Sequence, residues 1–334
     1  MIGEGAYGEV YEVYDTRLET PAALKVLTSE EELFEQGMWA EAAKLQQLGG
    51  EFILRVRNAT FLEGFPAIVT ELASQGSVLD HIQPGVGIPV RQAVRWMHQI
   101  ARGLAQVHDS NLLHRDIKPA NAFVTASGDA VLGDFGLARF ANADGYAAAG
   151  GSTTTMAPEV AAVFAGMADS AMVYDRRSDI YGLGATAWWM LSGKPLHAND
   201  DEHTILQAPE PDLWDFAPNV PRRLRDTVNR ALRTNPDDRF ASVSDFDASV
   251  SRPGFGDRVW RRIPVEPGHV TCFIGEGAGP IISICGTPDR GGVRIHARYR
   301  DSHRKINAVN RVVTHRQLSA ALRSAMRTCN SLRR

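Results

Sequence analysis

The sequence predicts an α+β chain with a strand-rich front lobe, a helix-rich back lobe, and a small basic βββα module at its C-terminal end. Three observations carry this. Apolar residues alternate with polar ones up to about residue 72, then recur at helical spacing from about residue 90. Charge is unevenly spread: residues 1–251 hold 20 Lys and Arg against 34 Asp and Glu, whereas residues 252–334 hold 16 against 5. A split of that size marks two units with different partners. Between them, Arg252-Pro253-Gly254-Phe255-Gly256 is a run of structure breakers. The expected division is therefore 1–251, with lobes at about 1–72 and 74–251, and a separate 257–334.

The elements follow in order. Val10, Glu12 and Tyr14 alternate after a glycine-rich turn, giving strand–turn–strand, and residues 21–27 make another apolar strand. Ser29 can cap a helix over 29–48, and strand-like runs follow at 52–56, 59–63 and 66–72. Val94, Met97, His98, Ala101, Leu104, Ala105 and His108 share one helical face. Short strands near 122–125 and 130–133 interrupt the helices, which return from about 177 to 250. In the C-terminal unit, 268–274, 280–286 and 293–299 alternate like strands, and Leu318, Ala321, Leu322, Ala325, Met326 and Cys329 form an apolar helix face.

Composition narrows the function classes. A hydrophobic fraction of 44% with 22% charge is that of a globular protein with a sizeable core. No apolar run has the length of a membrane-spanning helix and no signal-peptide pattern opens the chain, so the expectation is a cytoplasmic protein that does not engage membranes. Cys272, Cys285 and Cys329 are an odd set without disulfide-framework spacing, in keeping with that compartment.

Phosphate chemistry is signalled first by Gly3-Glu4-Gly5-Ala6-Tyr7-Gly8-Glu9-Val10. Gly3, Gly5 and Gly8 let backbone N–H groups approach phosphate oxygens without a Cβ in the way, although a tight hairpin has the same composition. Lys25 ends an apolar strand run, where an unpaired ammonium is costly; Glu41 on the 29–48 helix is the expected partner, with Glu35 the weaker alternative. The decisive stretch is His114-Arg115-Asp116-Ile117-Lys118-Pro119-Ala120-Asn121, followed 13 residues after Asn121 by Asp134-Phe135-Gly136. Phosphoryl transfer needs positioning and charge neutralisation more than covalent help. Asp116 can accept a hydroxyl proton, Lys118 can stabilise the transferring group, and Asn121 and Asp134 offer the oxygen ligands that Mg²⁺ favours.

On these residues the chain resembles the eukaryotic-type protein kinase domain, in the Ser/Thr branch also common in bacteria, over residues 1 to about 250. Ala157-Pro158-Glu159 is similar to the motif closing that family's activation segment, Arg239 to the arginine pairing with that glutamate, and Asp179 to the buried aspartate anchoring the catalytic loop. The resemblance implies a bilobal kinase fold and transfer of the ATP γ-phosphate to Ser/Thr hydroxyls of proteins, with Lys118 as the specificity mark. It also implies Thr70 as gatekeeper, Glu71 and Ala73 as hinge groups for adenine, and Val10 and Ala23 against the purine. Leu45, His114 and Phe135 resemble members of the apolar stack that aligns the lobes, making His114 a packed structural residue. Two other readings are a kinase-like scaffold without activity and a small-molecule phosphotransferase; the complete catalytic set argues against the first, Lys118-Pro119 and Ala157-Pro158-Glu159 against the second.

Three departures stand out. The chain starts almost on the glycine turn, so its first strand is very short or begins upstream. Ala148 occupies the usual phosphosite that Arg115 would bind, which predicts weak dependence on phosphorylation there; regulatory autophosphorylation is expected instead on Thr153, Thr154 or Thr155. Ser152 aligns with the hydroxyl residue contacting the catalytic aspartate, while Gly151-Ser152-Thr153-Thr154-Thr155 replaces the usual sequence and leaves substrate preference open.

No family is recognised in the C-terminal unit. His269, Cys272 and Cys285, with His296 or His303, can ligate zinc, or the cysteines can be plain strand core. Arg290, Arg294, Arg298, Arg300 and Arg304 can contact nucleic acid, and the same excess can dock on the acidic front unit or on an acidic partner protein.

Overall fold

The computed structural model describes residues 1–5, 8–26, 50–135, 137–168, 172–198, 200–277 and 279–332. The expected helix over 29–48, and with it Glu35, Glu41 and Leu45, lies outside the described residues.

The front lobe carries an antiparallel sheet of β1 (Gly3–Gly5), β2 (Gly8–Asp15), β3 (Thr20–Val26), β4 (Val56–Leu62) and β5 (Phe65–Glu71), in the order β1-β2-β3-β5-β4. Of the expected run at 52–56, only Val56 belongs to it, as the first residue of β4. Leu54 donates to the Leu132 carbonyl (2.8 Å) and Leu132 donates back to Phe52 (2.8 Å), so this apolar triplet is buried against the back lobe. Period alone does not say which lobe an apolar run serves. Gly103 permits the contact: a Cβ there would lie 2.4 Å from the Phe52 carbonyl.

In the back lobe, α1 (Val90–Asp109) buries Met97, Ala101, Leu104 and His108 of the predicted face, with Ala93 and Ile100 beside them, while Val94, His98 and Ala105 are half-buried. Short strands follow as β6 (Leu112–Leu113), β7 (Ala122–Val124), β8 (Ala130–Leu132), β9 (Arg139–Phe140), β10 (Ala147–Ala148) and, after α2 (Pro158–Phe164), β11 (Met172–Tyr174). The central element is α3 (Arg176–Ser192), buried on nearly every side, as an all-round apolar helix must be. It starts at Asp175, whose carboxylate accepts the Arg177 and Ser178 N–H groups, and stops at Gly193 in the left-handed region (φ 74°). The shorter α4 (Glu202–Gln207), α5 (Leu213–Phe216), α6 (Arg222–Ala231) and α7 (Val243–Val250) complete the lobe.

The C-terminal unit is a meander of β12 (Arg258–Ile263), β13 (Thr271–Gly277), β14 (Ile282–Asp289), β15 (Gly292–Tyr299) and β16 (Arg311–Val313), with α8 (Leu318–Asn330) across one face. The three expected strands and the helix are present, flanked by two strands that the pattern hid: arginines interrupt the apolar alternation of Arg258–Ile263, and Arg311–Val313 is too short to show a period. Trp260, Phe273, Ile284, Ile295, Leu322 and Met326 form a core separate from that of the back lobe. No described helix is long and apolar enough to cross a membrane.

Candidate active site

Register places the cleft-facing residues. Val10 pairs with Lys25, Lys25 with Ile68, and Ala23 with Thr70. Because side chains alternate along a strand and directly opposed residues share a face, Val10, Ala23, Lys25 and Thr70 lie on one side of the sheet. Gly3 and Gly5 pair with Val10 and Gly8, and Gly8 has φ 140°, a conformation that L side chains rarely adopt. At the sheet's end Glu71 donates its N–H to the Arg55 carbonyl (2.9 Å), and the Ala73 carbonyl accepts from Gly76 (3.1 Å). Across the cleft, Lys25 Nζ sits 2.9 Å from Asp134 Oδ1. Burial pushes the Asp134 carboxyl up, but the Lys25 charge and hydrogen bond outweigh it and hold it below the ordinary carboxylate value.

Asp179, in the first turn of α3, is fully buried. Its carboxylate accepts the backbone N–H groups of His114 and Arg115 (both 2.9 Å), the Tyr174 hydroxyl (2.9 Å) and His108 Nε2 (2.8 Å). Burial alone would raise its pKa; the hydrogen bond and charge of His108, with the backbone bonds, bring it below the usual value. This anchor sits beside backbone that relaxed chain avoids: Arg115 and Asp134 are non-glycine residues with φ of 69° and 55°.

Asp116 receives three donors. Ser152 N–H reaches Oδ1 at 3.1 Å, while Asn121 Nδ2 (2.9 Å) and Lys118 Nζ (2.7 Å) reach Oδ2. Asn121 Nδ2 also donates to the Asp116 carbonyl at 2.8 Å, which fixes the amide and leaves its side-chain oxygen as the remaining polar atom. Lys118 bridges onward to Ser152 Oγ at 2.6 Å. A carboxylate, an ammonium, an amide and a hydroxyl thus converge on one point, with Asp134 close enough to feel the Lys118 charge.

A family model described as "Protein kinase domain" matches residues 1–248. The chain belongs to the protein kinase domain family. Among relatives, serine/threonine-protein kinase PknD of Mycobacterium tuberculosis is 31% identical over 257 residues, covering 74% of this chain and 38% of that protein. PknL of the same species is 30% identical over 259 residues (75% and 63%), and PknH of Mycobacterium bovis 29% over 257 residues (74% and 42%). The chain therefore spans between 38% and 63% of the length of these curated relatives.

The kinase motifs account for the rest of the lobe. Glu159 takes a two-pronged contact from Arg239 (both 2.7 Å) and a third hydrogen bond from Ser178 Oγ (2.7 Å). The Arg239 side chain is 0% exposed and also donates to the carbonyls of Arg177, Arg233 and Thr234. His114 is wholly buried against the Phe135 ring at 4.8 Å. Its Nδ1 accepts from the Asp116 N–H (3.3 Å) and its Nε2 faces the Gly133 carbonyl (3.1 Å), the neutral tautomer expected of a packed residue. Burial moves its pKa below the ordinary histidine value.

In the activation segment, Arg115 donates to the carbonyls of Leu137 (2.9 Å) and Ala149 (2.6 Å). Two glycines make room: a Cβ on Gly150 would lie 2.3 Å from the guanidinium, and one on Gly151, with φ 124°, 2.7 Å from the Arg115 carbonyl. Thr153 is exposed, whereas Thr155 is buried. Sequence reasoning missed Tyr174 and His108 as members of the Asp179 network. His108 read only as part of an apolar helix face, and nothing local distinguishes Tyr174.

Proposed function

We propose that the chain is an ATP-dependent Ser/Thr protein kinase, with 1–251 as catalytic domain and 257–334 as an extension docked on it. The observation that carries this reading is the convergence of Lys118, Asn121 and Ser152 on the Asp116 carboxylate, beside the Lys25–Asp134 pair.

The donor set fits magnesium. Asp134 is kept ionised by Lys25, and the Asn121 amide nitrogen is engaged by Asp116, so each offers oxygen to a hard cation. Bound Mg²⁺ neutralises charge on the phosphate oxygens. The chain's own residues do the rest. Asp116, oriented by Ser152 and Asn121, accepts the proton of the attacking hydroxyl, while Lys118 stabilises negative charge on the transferring group. Lys25 holds the ATP phosphates, and Glu41 is its expected second partner. The glycine turn covers the phosphates, Val10 and Ala23 line the purine site behind Thr70, and Glu71 with Ala73 offers backbone groups to adenine.

Two structural features support the finer expectations. Backbone carbonyls supply Arg115 with acceptors in the absence of a phosphate, which supports catalysis without an obligate phosphosite between 137 and 149. Arg262, Asn219, Ser319 and Arg323 form hydrogen bonds across the seam between back lobe and extension, which supports intramolecular docking over an external acidic protein or nucleic acid as the use of that basic unit.

The test is phosphate transfer by the full chain with ATP and Mg²⁺, mapped by mass spectrometry, against Asp116→Asn. Phosphoserine or phosphothreonine that disappears in the variant supports the kinase. No incorporation by the wild type returns the reading to a scaffold, and transfer only to small hydroxyl compounds to a small-molecule phosphotransferase.

A further inference from the structure

Among the described residues, one group of metal-ligating side chains converges away from the active site. It is assembled by strand register. Cys272 on β13 pairs with Cys285 on β14, and Cys285 pairs with His296 on β15. Directly opposed residues share a face, so these three form a row across three strands. Their chain neighbours Phe273, Ile284, Ile295 and Ala297 point the other way, into the core beneath α8. The row thus lies on the sheet face away from the helix, outside that core.

His269, on the turn entering β13, closes the group. Its Nδ1 is 3.1 Å from Cys272 Sγ, and a ring nitrogen of His269 with the sulfurs of Cys272 and Cys285 all lie within 4.8 Å of one another. His296 stands beside them, its ring edge-on to His269 with centroids 5.6 Å apart. His303 is exposed in the turn after β15 and takes no part.

We propose that His269, Cys272, Cys285 and His296 form a tetrahedral site for a zinc-class divalent transition metal. Zinc–sulfur and zinc–nitrogen bonds of about 2.3 and 2.0 Å put neighbouring ligand atoms roughly 3.5 Å apart, against the 4.8 Å within which the atoms of His269, Cys272 and Cys285 already lie; His296 stands outside that limit, beside His269, and must turn inward to complete the set. Two thiolates and two imidazoles are soft and borderline donors, which select zinc or cobalt over magnesium. Both cysteines are buried, at 0% and 2% exposure, and two thiolates cancel the charge of a divalent ion. Binding releases both thiol protons to solvent.

The surroundings suit a structural staple. The 264–270 segment lies over this face, with Glu266 reaching Arg298 (3.4 Å) and Val270 N–H donating to Gly286 (2.8 Å). It joins β12 to β13, and β12 carries Arg262, which donates to the Gly85 (2.9 Å) and Phe216 (2.5 Å) carbonyls of the back lobe. A metal here ties the segment that follows this anchor strand to β13, β14 and β15.

The test uses the full chain, stripped with chelator and reloaded with zinc or cobalt(II). The expected results are one zinc per chain by elemental mass spectrometry, and a cobalt spectrum with thiolate charge-transfer and tetrahedral ligand-field bands. Cys272→Ser and Cys285→Ser abolish both signals. His296→Ala weakens binding at least as much as loss of an outer partner does, roughly 10–100-fold. Cys329→Ser, whose sulfur lies in the α8 core, leaves the signals intact. A wild-type chain without the cobalt bands overturns the site, and needs no variant to fold. So does a Cys272–Cys285 disulfide in protein isolated with its thiols blocked. A His296→Ala chain that binds like wild type overturns the fourth ligand.

Discussion

Buried charge is handled differently in the catalytic lobe and in the C-terminal extension. In the lobe, Asp179 takes four donors around the catalytic loop and Arg239 clamps Glu159, while Arg115 and the rest of Arg239 donate to backbone carbonyls. In the extension, Arg258 and Arg262 donate to backbone carbonyls, of Gly275, Pro280 and Leu332 in one case and of Gly85 and Phe216 in the other. Burial pushes both arginines below their ordinary pKa. Charge in the lobe fixes a strained catalytic conformation. In the extension it seals seams, between strands at Arg258 and between units at Arg262. Losing a partner should therefore cost function or global stability in the first region, and docking in the second.

The largest expected effect is on chemistry. Asp116→Asn keeps the size of the side chain and removes the proposed base, so kcat should fall roughly 10²–10⁴-fold, while thermal unfolding stays near that of the wild type. Collapse of the fold in this variant would recast Asp116 as a structural residue. Next comes Arg239→Ala, which leaves Glu159 without its buried partner. The cost should be about 3–5 kcal/mol, read by denaturant unfolding of the back lobe.

Arg262→Ala probes the other side of the comparison. It removes two charged hydrogen bonds to the back lobe and should cost about 1–3 kcal/mol of docking. Faster amide exchange and proteolysis should appear in residues 252–270, with kcat unchanged. Equal destabilisation of both units would mean that they fold as one.

The smallest effect is a pH slope. Burial lowers the pKa of His114, and likewise that of His197, so the folded chain resists protons that the unfolded chain takes up near its ordinary 6.5. With more protons on the unfolded state, stability falls as pH drops below about 6.5, by at most ~1.4 kcal/mol per pH unit for each group. His114→Phe should flatten that slope by one proton's share in melting curves between neutral and mildly acidic pH. An unchanged slope would place the proton elsewhere than the catalytic loop.

Most of the kinase lobe was legible because its functional residues come in short runs. His114 to Asn121 fall within one loop, and Asp134 follows one hairpin later. What stayed hidden there depended on distant partners. Tyr174 and His108 matter only because both reach Asp179, and the 52–54 part of the expected 52–56 run serves the back lobe through Leu132.

The extension was harder to read for a related reason. Arginines masked the period of Arg258–Ile263, and only one pair in the metal cluster, His269 and Cys272, is close in sequence. Local spacing by itself pointed to the two lobes and the three inner strands of the extension, and the resemblance of the loop motifs implied the family and the catalytic candidates. Both could do so because turns, helical periods and loop motifs act over a few residues. Tertiary structure alone decided that Arg115 is satisfied by backbone carbonyls, that Arg262 anchors the extension to the back lobe, and that Cys272, Cys285 and His296 share a row. Those outcomes depend on strand register and on which surfaces meet, and both are set by the packing of residues far apart along the chain.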